Sequence, residues 1–102
     1  MVFLYVPCKN IEEAKIIGRL MVQQRVAGRI DIVPTQSVVF QGQGGVEETE
    51  GATMIIQALD KKVQDVEDIV RAHHKNRVPC IATFMLYRLN REFKEWLVAS
   101  TG

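Results

Sequence analysis

A chain of 102 residues, 47% apolar and 25% charged, has the balance of a globular protein, and disorder is excluded as its default state. That length supports one hydrophobic core without reaching the size at which cores split, so a single domain over residues 1–102 is expected. The formal net charge of +1, with lysines spread among acids, argues against a nucleic-acid partner, and no apolar run reaches membrane-spanning length.

Val2 to Val6 is almost wholly apolar, with β-branched and aromatic members, as expected for a central strand buried on both faces. Pro7 interrupts the run, which is too short for the core of a secretion signal. With two cysteines and no export signal, the thiols are expected to be reduced, in the cytoplasm. Asn10 offers a helix cap and Glu13 the returning contact. Ile11, Ala14, Ile17 and Met21, widened by Ile16, Leu20 and Val22, follow at helical spacing, and the helix should stop near Ala27–Gly28.

Arg29 to Phe40 alternates, and Pro34 within it implies a bulge or an edge position. Gln41 to Gly45, reading QGQGG, is a hairpin tip, with Gly51 to Leu59 as the returning strand. The length of these two strands raises the prospect of pairing with another subunit. Asp60 is expected to cap a second helix, whose stripe is Val63, Val66, Ile69, Val70 and His73. Cys80 to Tyr87 reads as a fourth strand, and Asn90 opens a final helix presenting Phe93, Trp96 and Leu97.

The order strand, helix, strand, strand, helix, strand, helix defines an α+β fold: a ferredoxin-like split βαβ sandwich with an antiparallel sheet, a long hairpin and an extra C-terminal helix. Right-handed crossovers place the first and last strands side by side. The end of strand one, with Cys8, is then expected near Cys80 at the start of strand four and near His73 and His74 at the end of helix two.

Several segments together resemble the CutA family of divalent-cation tolerance proteins. Glu12-Glu13-Ala14 through Leu20, then Arg25-Val26-Ala27 leading to Ile30-Asp31-Ile32-Val33-Pro34, is similar to that family's "EEA…I…LV…RLAACVNIVP" segment. Ser37, Phe40, Val46-Glu47-Glu48 and Met54-Ile55-Ile56 sit where the family has its long hairpin. His74 with Val78-Pro79 and Ile81 resembles its "HPYEVPEI" motif, and Phe93 to Leu97 its "YLDWI" ending. The resemblance implies a homotrimer joined through the long strands, an architecture related to the PII signalling proteins, and a non-enzymatic role connected with copper and other divalent metals. This chain departs from the family at Asp31 in place of asparagine, at Lys75, Asn76 and Arg77 after the histidine, and at Cys80 in place of glutamate.

Cys8, His74 and Cys80 form the candidate metal set, since two thiolates and an imidazole suit Cu(I) or Zn(II). The competing reading makes Cys80 a small buried hydrophobe and Cys8 a loop residue. His73 continues the apolar stripe and reads as a core or interface residue, whereas His74 matches the family position. Lys75 and Arg77 are candidates for an anion or nucleotide held between subunits, against the plainer reading of a solvated basic loop. A third reading is a trimer that scaffolds a protein partner through its hairpin tips. No serine lies in a nucleophile-elbow context, and Glu47, Glu48 and Glu50 read as a solvated strand edge, so no catalytic residue is assigned.

Overall fold

Strand β1 (Val2–Cys8) alternates cleanly: Val2, Leu4, Val6 and Cys8 are buried, while Tyr5 on the other face is 42% exposed. The computed structural model, which describes residues 1–74 and 78–102, therefore buries one face of β1, not both. The buried face lies under helix α1 (Ile11–Gln23) and helix α2 (Val63–His73), where Ala14, Ile17, Met21, Val66 and Val70 meet Leu4, Val6, Met54 and Ile56. Each fully buried Leu or Ile side chain in that layer contributes roughly 1.5–3 kcal/mol.

Helix α1 stops at Gln23, earlier than its apolar spacing suggests. The turn is made by Arg25 at φ 61, left-handed backbone that costs a residue bearing a Cβ about 1 kcal/mol. Its guanidinium then reaches helix α3 (Arg91–Thr101), donating from Nε to the Ser100 carbonyl at 3.1 Å and from Nη2 to the Ala99 carbonyl at 3.4 Å. Gly28, freed from capping α1, makes room for α3: a Cβ there would stand 2.5 Å from Leu97 Cδ1 and 3.2 Å from the Trp96 ring. The helix terminus and the seam beside it are thus set by α3, which lies far away in sequence.

Strands β2 (Arg29–Phe40) and β3 (Val46–Ala58) pair without interruption from Arg29↔Gln57 to Phe40↔Val46. Pro34 pairs with Ala52 in that unbroken register, and β2 lies at the sheet edge, so the proline marks an edge position and not a bulge. The ladder runs to the tip, so β3 begins at Val46 and takes in Glu47, Glu48 and Glu50. The chain measures 48 Å along its longest axis against 26 and 21 Å across it. Sheet order is β2-β3-β1-β4, where β4 (Ala82–Met85) pairs antiparallel with β1 as the crossover argument requires, though over four residues only. This is the ferredoxin-like α+β fold.

Asp60 does not cap α2. It opens a short 3₁₀ turn over Asp60–Lys62 and pairs with the chain's own amino terminus. At Gly51 the two central strands come so close that an added Cβ would lie 2.6 Å from the Cys8 carbonyl oxygen. Because backbone must move to relieve that contact, Gly51→Ala is expected to cost about 1–3 kcal/mol in denaturant unfolding.

Candidate functional site: a buried thiol, carboxylate and imidazole

Three elements converge where β1 ends. The alternation of β1 turns Cys8 inward, where it is 5% exposed, and the chain then enters α1 through its cap. Asn10 Oδ1 accepts from the Glu13 N–H at 2.8 Å, and Glu13 Oε1 returns to accept from the Lys9 N–H at 2.9 Å. That reciprocal cap bends Glu13 back over the strand end, 92% buried beside Cys8. His74, which ends α2 in extended backbone, brings in its ring from the other side, and the side chain is 1% exposed.

The ligand atoms of Cys8, Glu13 and His74 all lie within 4.8 Å of one another. His74 Nε2 stands 4.0 Å from Glu13 Oε1 and 2.7 Å from the Pro7 carbonyl oxygen. A carbonyl oxygen only accepts, so Nε2 carries a hydrogen, and in the neutral ring the lone pair is on Nδ1. This bond also has a structural cause. Pairing between β1 and β4 reaches only Tyr5↔Ala82, and two residues further on the Pro7 carbonyl is met by the histidine.

Burial, and then the negative charge of Glu13, push the Cys8 thiol from 9.0 up to about 12. The thiol is therefore protonated at neutral pH and is no nucleophile. A bound cation reverses both causes, because it neutralises the carboxylate and stabilises the thiolate. The donors fit a borderline ion by type, one sulfur, one nitrogen and one oxygen. Atoms sharing a tetrahedral zinc-like ion lie about 3.5 Å apart, so a 4.8 Å spread asks for closure of about an ångström.

Of the residues singled out from sequence, Cys8 and His74 meet. Cys80 is exposed and lies outside the group, and both cysteines are free thiols. Lys75 and Arg77 lie outside the described residues. His73 is exposed instead of joining the core, with Nδ1 3.0 Å from the Ile69 carbonyl oxygen one turn back. Glu13 was visible in the sequence only as a capping residue. The missed signal is geometric: a glutamate at the third helical position reaches back past the cap, which sets it against a cysteine two residues before that cap. A cleft of about 680 Å³ between Lys9, Asn10, Glu12, Pro34 and Glu50 flanks this group without including it.

The fold and these three donors define a small ferredoxin-like protein with a buried thiol, carboxylate and imidazole cluster at one end of its sheet. Residues 2–100 match the family model described as CutA1 divalent ion tolerance protein, and the chain belongs to that family. It is 30% identical over 95 residues to the divalent-cation tolerance protein CutA of Archaeoglobus fulgidus, covering 93% of this chain and 92% of that protein. The Thermus thermophilus protein of the same name is 28% identical over 102 residues, covering 100% and 97%. The solved structure of the Archaeoglobus fulgidus protein, described as periplasmic, superposes with a TM-score of 0.94 at 27% identity, with full coverage of both chains.

Proposed function

We propose that this chain is a metal-response module that binds a borderline or soft cation, copper or zinc, through Cys8, Glu13 and His74. The observation that carries the reading is the approach of three chemically different ligand atoms to within 4.8 Å of one another in a buried site. Family membership supports a connection with divalent cations. A thiol held protonated by burial supports binding over catalysis, because such a sulfur is an inert nucleophile until a cation ionises it. When bound, the metal supplies the positive charge that this acidic pocket lacks.

The test is calorimetric titration with Zn(II), and separately with Cu(I) under reducing conditions. Cys8→Ala and His74→Ala are each expected to weaken binding by about a hundredfold or more, while Cys80→Ser changes it by less than about twofold. Wild-type affinity retained in Cys8→Ala sinks the site.

The same reading makes the chain a homotrimer. Its support is the uncovered sheet face, where Tyr5, Val33 and Phe84 are exposed, and the projecting hairpin, where Val38, Phe40 and Val46 are exposed. Light scattering is expected to give three times the 11.6 kDa chain mass, and a monomer mass overturns the assembly. Two free thiols fit a reducing, cytoplasm-like compartment. No helix among the described residues is long and apolar enough to cross a membrane.

A further inference from the structure

Of the three donors in the metal set proposed above, Glu13 is the hardest to aim. A cysteine sulfur is attached directly to its Cβ and an imidazole is a rigid ring, whereas a glutamate carboxylate rides on a flexible stem that loses rotamer freedom when it is fixed. Two hydrogen bonds select its orientation here. The Glu13 N–H donates to Asn10 Oδ1 at 2.8 Å, and Glu13 Oε1 accepts from the Lys9 N–H at 2.9 Å.

Asn10 joins the two bonds into one unit. Its backbone is extended, and its carbonyl accepts the first helical bond from the Ala14 N–H at 3.2 Å, so α1 starts at this residue. Without the Asn10 side chain the Glu13 N–H loses its acceptor, the first turn frays, and the carboxylate loses the frame that holds it over Cys8. A carboxylate has about four lone-pair positions, so the bond from Lys9 and a cation can share the same group. Lys9 and Asn10 are exposed and stand in the wall of the cleft of about 680 Å³, so this frame is built outside the buried donors.

Hydrogen-bond partners that orient a ligating carboxylate tune the metal without touching it, and their loss costs roughly 10- to 100-fold in affinity. We propose that Asn10 is a positioning residue of the metal site: through the helix cap it holds the Glu13 carboxylate against Cys8 and His74 before a cation arrives. The coupling is reciprocal, so an ion bound to Glu13 tightens the cap in turn. The start of α1, and the cleft wall that it forms, are then firmer in the metal-bound protein. A buried site acquires in this way a readout at the surface.

Calorimetric titration of the full chain with Zn(II) is the test. Asn10→Ala is expected to weaken zinc about tenfold or more, and Asn10→Ser, which restores a side-chain cap, to recover most of that loss. Asn10 is exposed, so neither change disturbs the core. Ile56→Val, a truncation in the core, is the control for lowered stability alone and is expected to leave the affinity within about twofold. In the wild type, zinc is expected to slow hydrogen exchange at the Lys9 and Glu13 amides, an effect absent from Cys8→Ala at the same zinc concentration. Unchanged affinity in Asn10→Ala, beside the loss in Cys8→Ala, overturns the positioning role and leaves the metal site standing. A serine variant as weak as the alanine one, or amide exchange that zinc does not slow, overturns it equally. Wild-type affinity retained in Cys8→Ala, or no zinc binding by the wild type, overturns both the positioning role and the site.

Discussion

Above pH 9, the wild-type protein is expected to lose stability relative to a Cys8→Ala variant by about 1.4 kcal/mol per pH unit, up to about pH 12. The sign follows from which state holds the proton. In the unfolded chain the thiol ionises near its ordinary 9.0, whereas in the folded chain burial and Glu13 raise it to about 12. Below 9.0 both states keep the proton, and the stability of the packed neutral thiol is fully present. Between the two values only the unfolded chain gives the proton up, so rising pH favours unfolding, by about 4 kcal/mol over the whole interval. Lysines and tyrosines titrate in the same range, which makes the difference between the two proteins the quantity to measure. Denaturant unfolding at steps from pH 8 to pH 11 is expected to show the wild-type margin shrinking, and parallel curves would mean that Cys8 is not held neutral by its surroundings.

The same buried thiol shows what the sequence could and could not reveal. Helical spacing from Ile11 onward depends on local periodicity and places Ala14, Ile17 and Met21 in the core, whereas the unbroken apolar run Val2 to Val6 reads as buried on both faces and in the fold buries one, leaving Tyr5 exposed. Once the strand order is right, topology alone brings Cys8 to His74, because one lies at the end of β1 and the other at the end of α2. The errors arise where a distant element decides. Helix α1 ends at Gln23 because Arg25 turns left-handed and reaches to α3, and Gly28 is shaped by Leu97 and Trp96. No pattern around residues 23–28 contains that information.

Glu13 and Cys80 exchange roles for a similar reason. A cysteine in an apolar run suggests burial, yet Cys80 precedes a strand that pairs only over Ala82–Met85, and it is left exposed. A glutamate in a helix's first turn suggests solvent, yet its capping geometry folds it inward against Cys8. In the proposed metal set the acid stands where the second thiol was expected, which would shift the cluster from a thiolate-rich set suited to Cu(I) toward a mixed set suited to zinc-like ions as well.

That mixed set leads to the other large effect. Zinc affinity is expected to rise about tenfold for each pH unit between pH 7.5 and 9, close to thirtyfold over the interval. Metal binding needs the Cys8 thiolate, and with the thiol at about 12 the site holds its proton across the whole range. Each ion bound must then release one proton, and a tenfold fall in proton concentration multiplies the apparent binding constant by ten. Titrations in two buffers of different ionisation enthalpy count that proton directly. Cys8→Ala is expected to bind weakly and without this slope, through Glu13 and His74 alone. A pH-independent affinity in the wild type would show that the sulfur is not a ligand and would remove the residue on which the site depends.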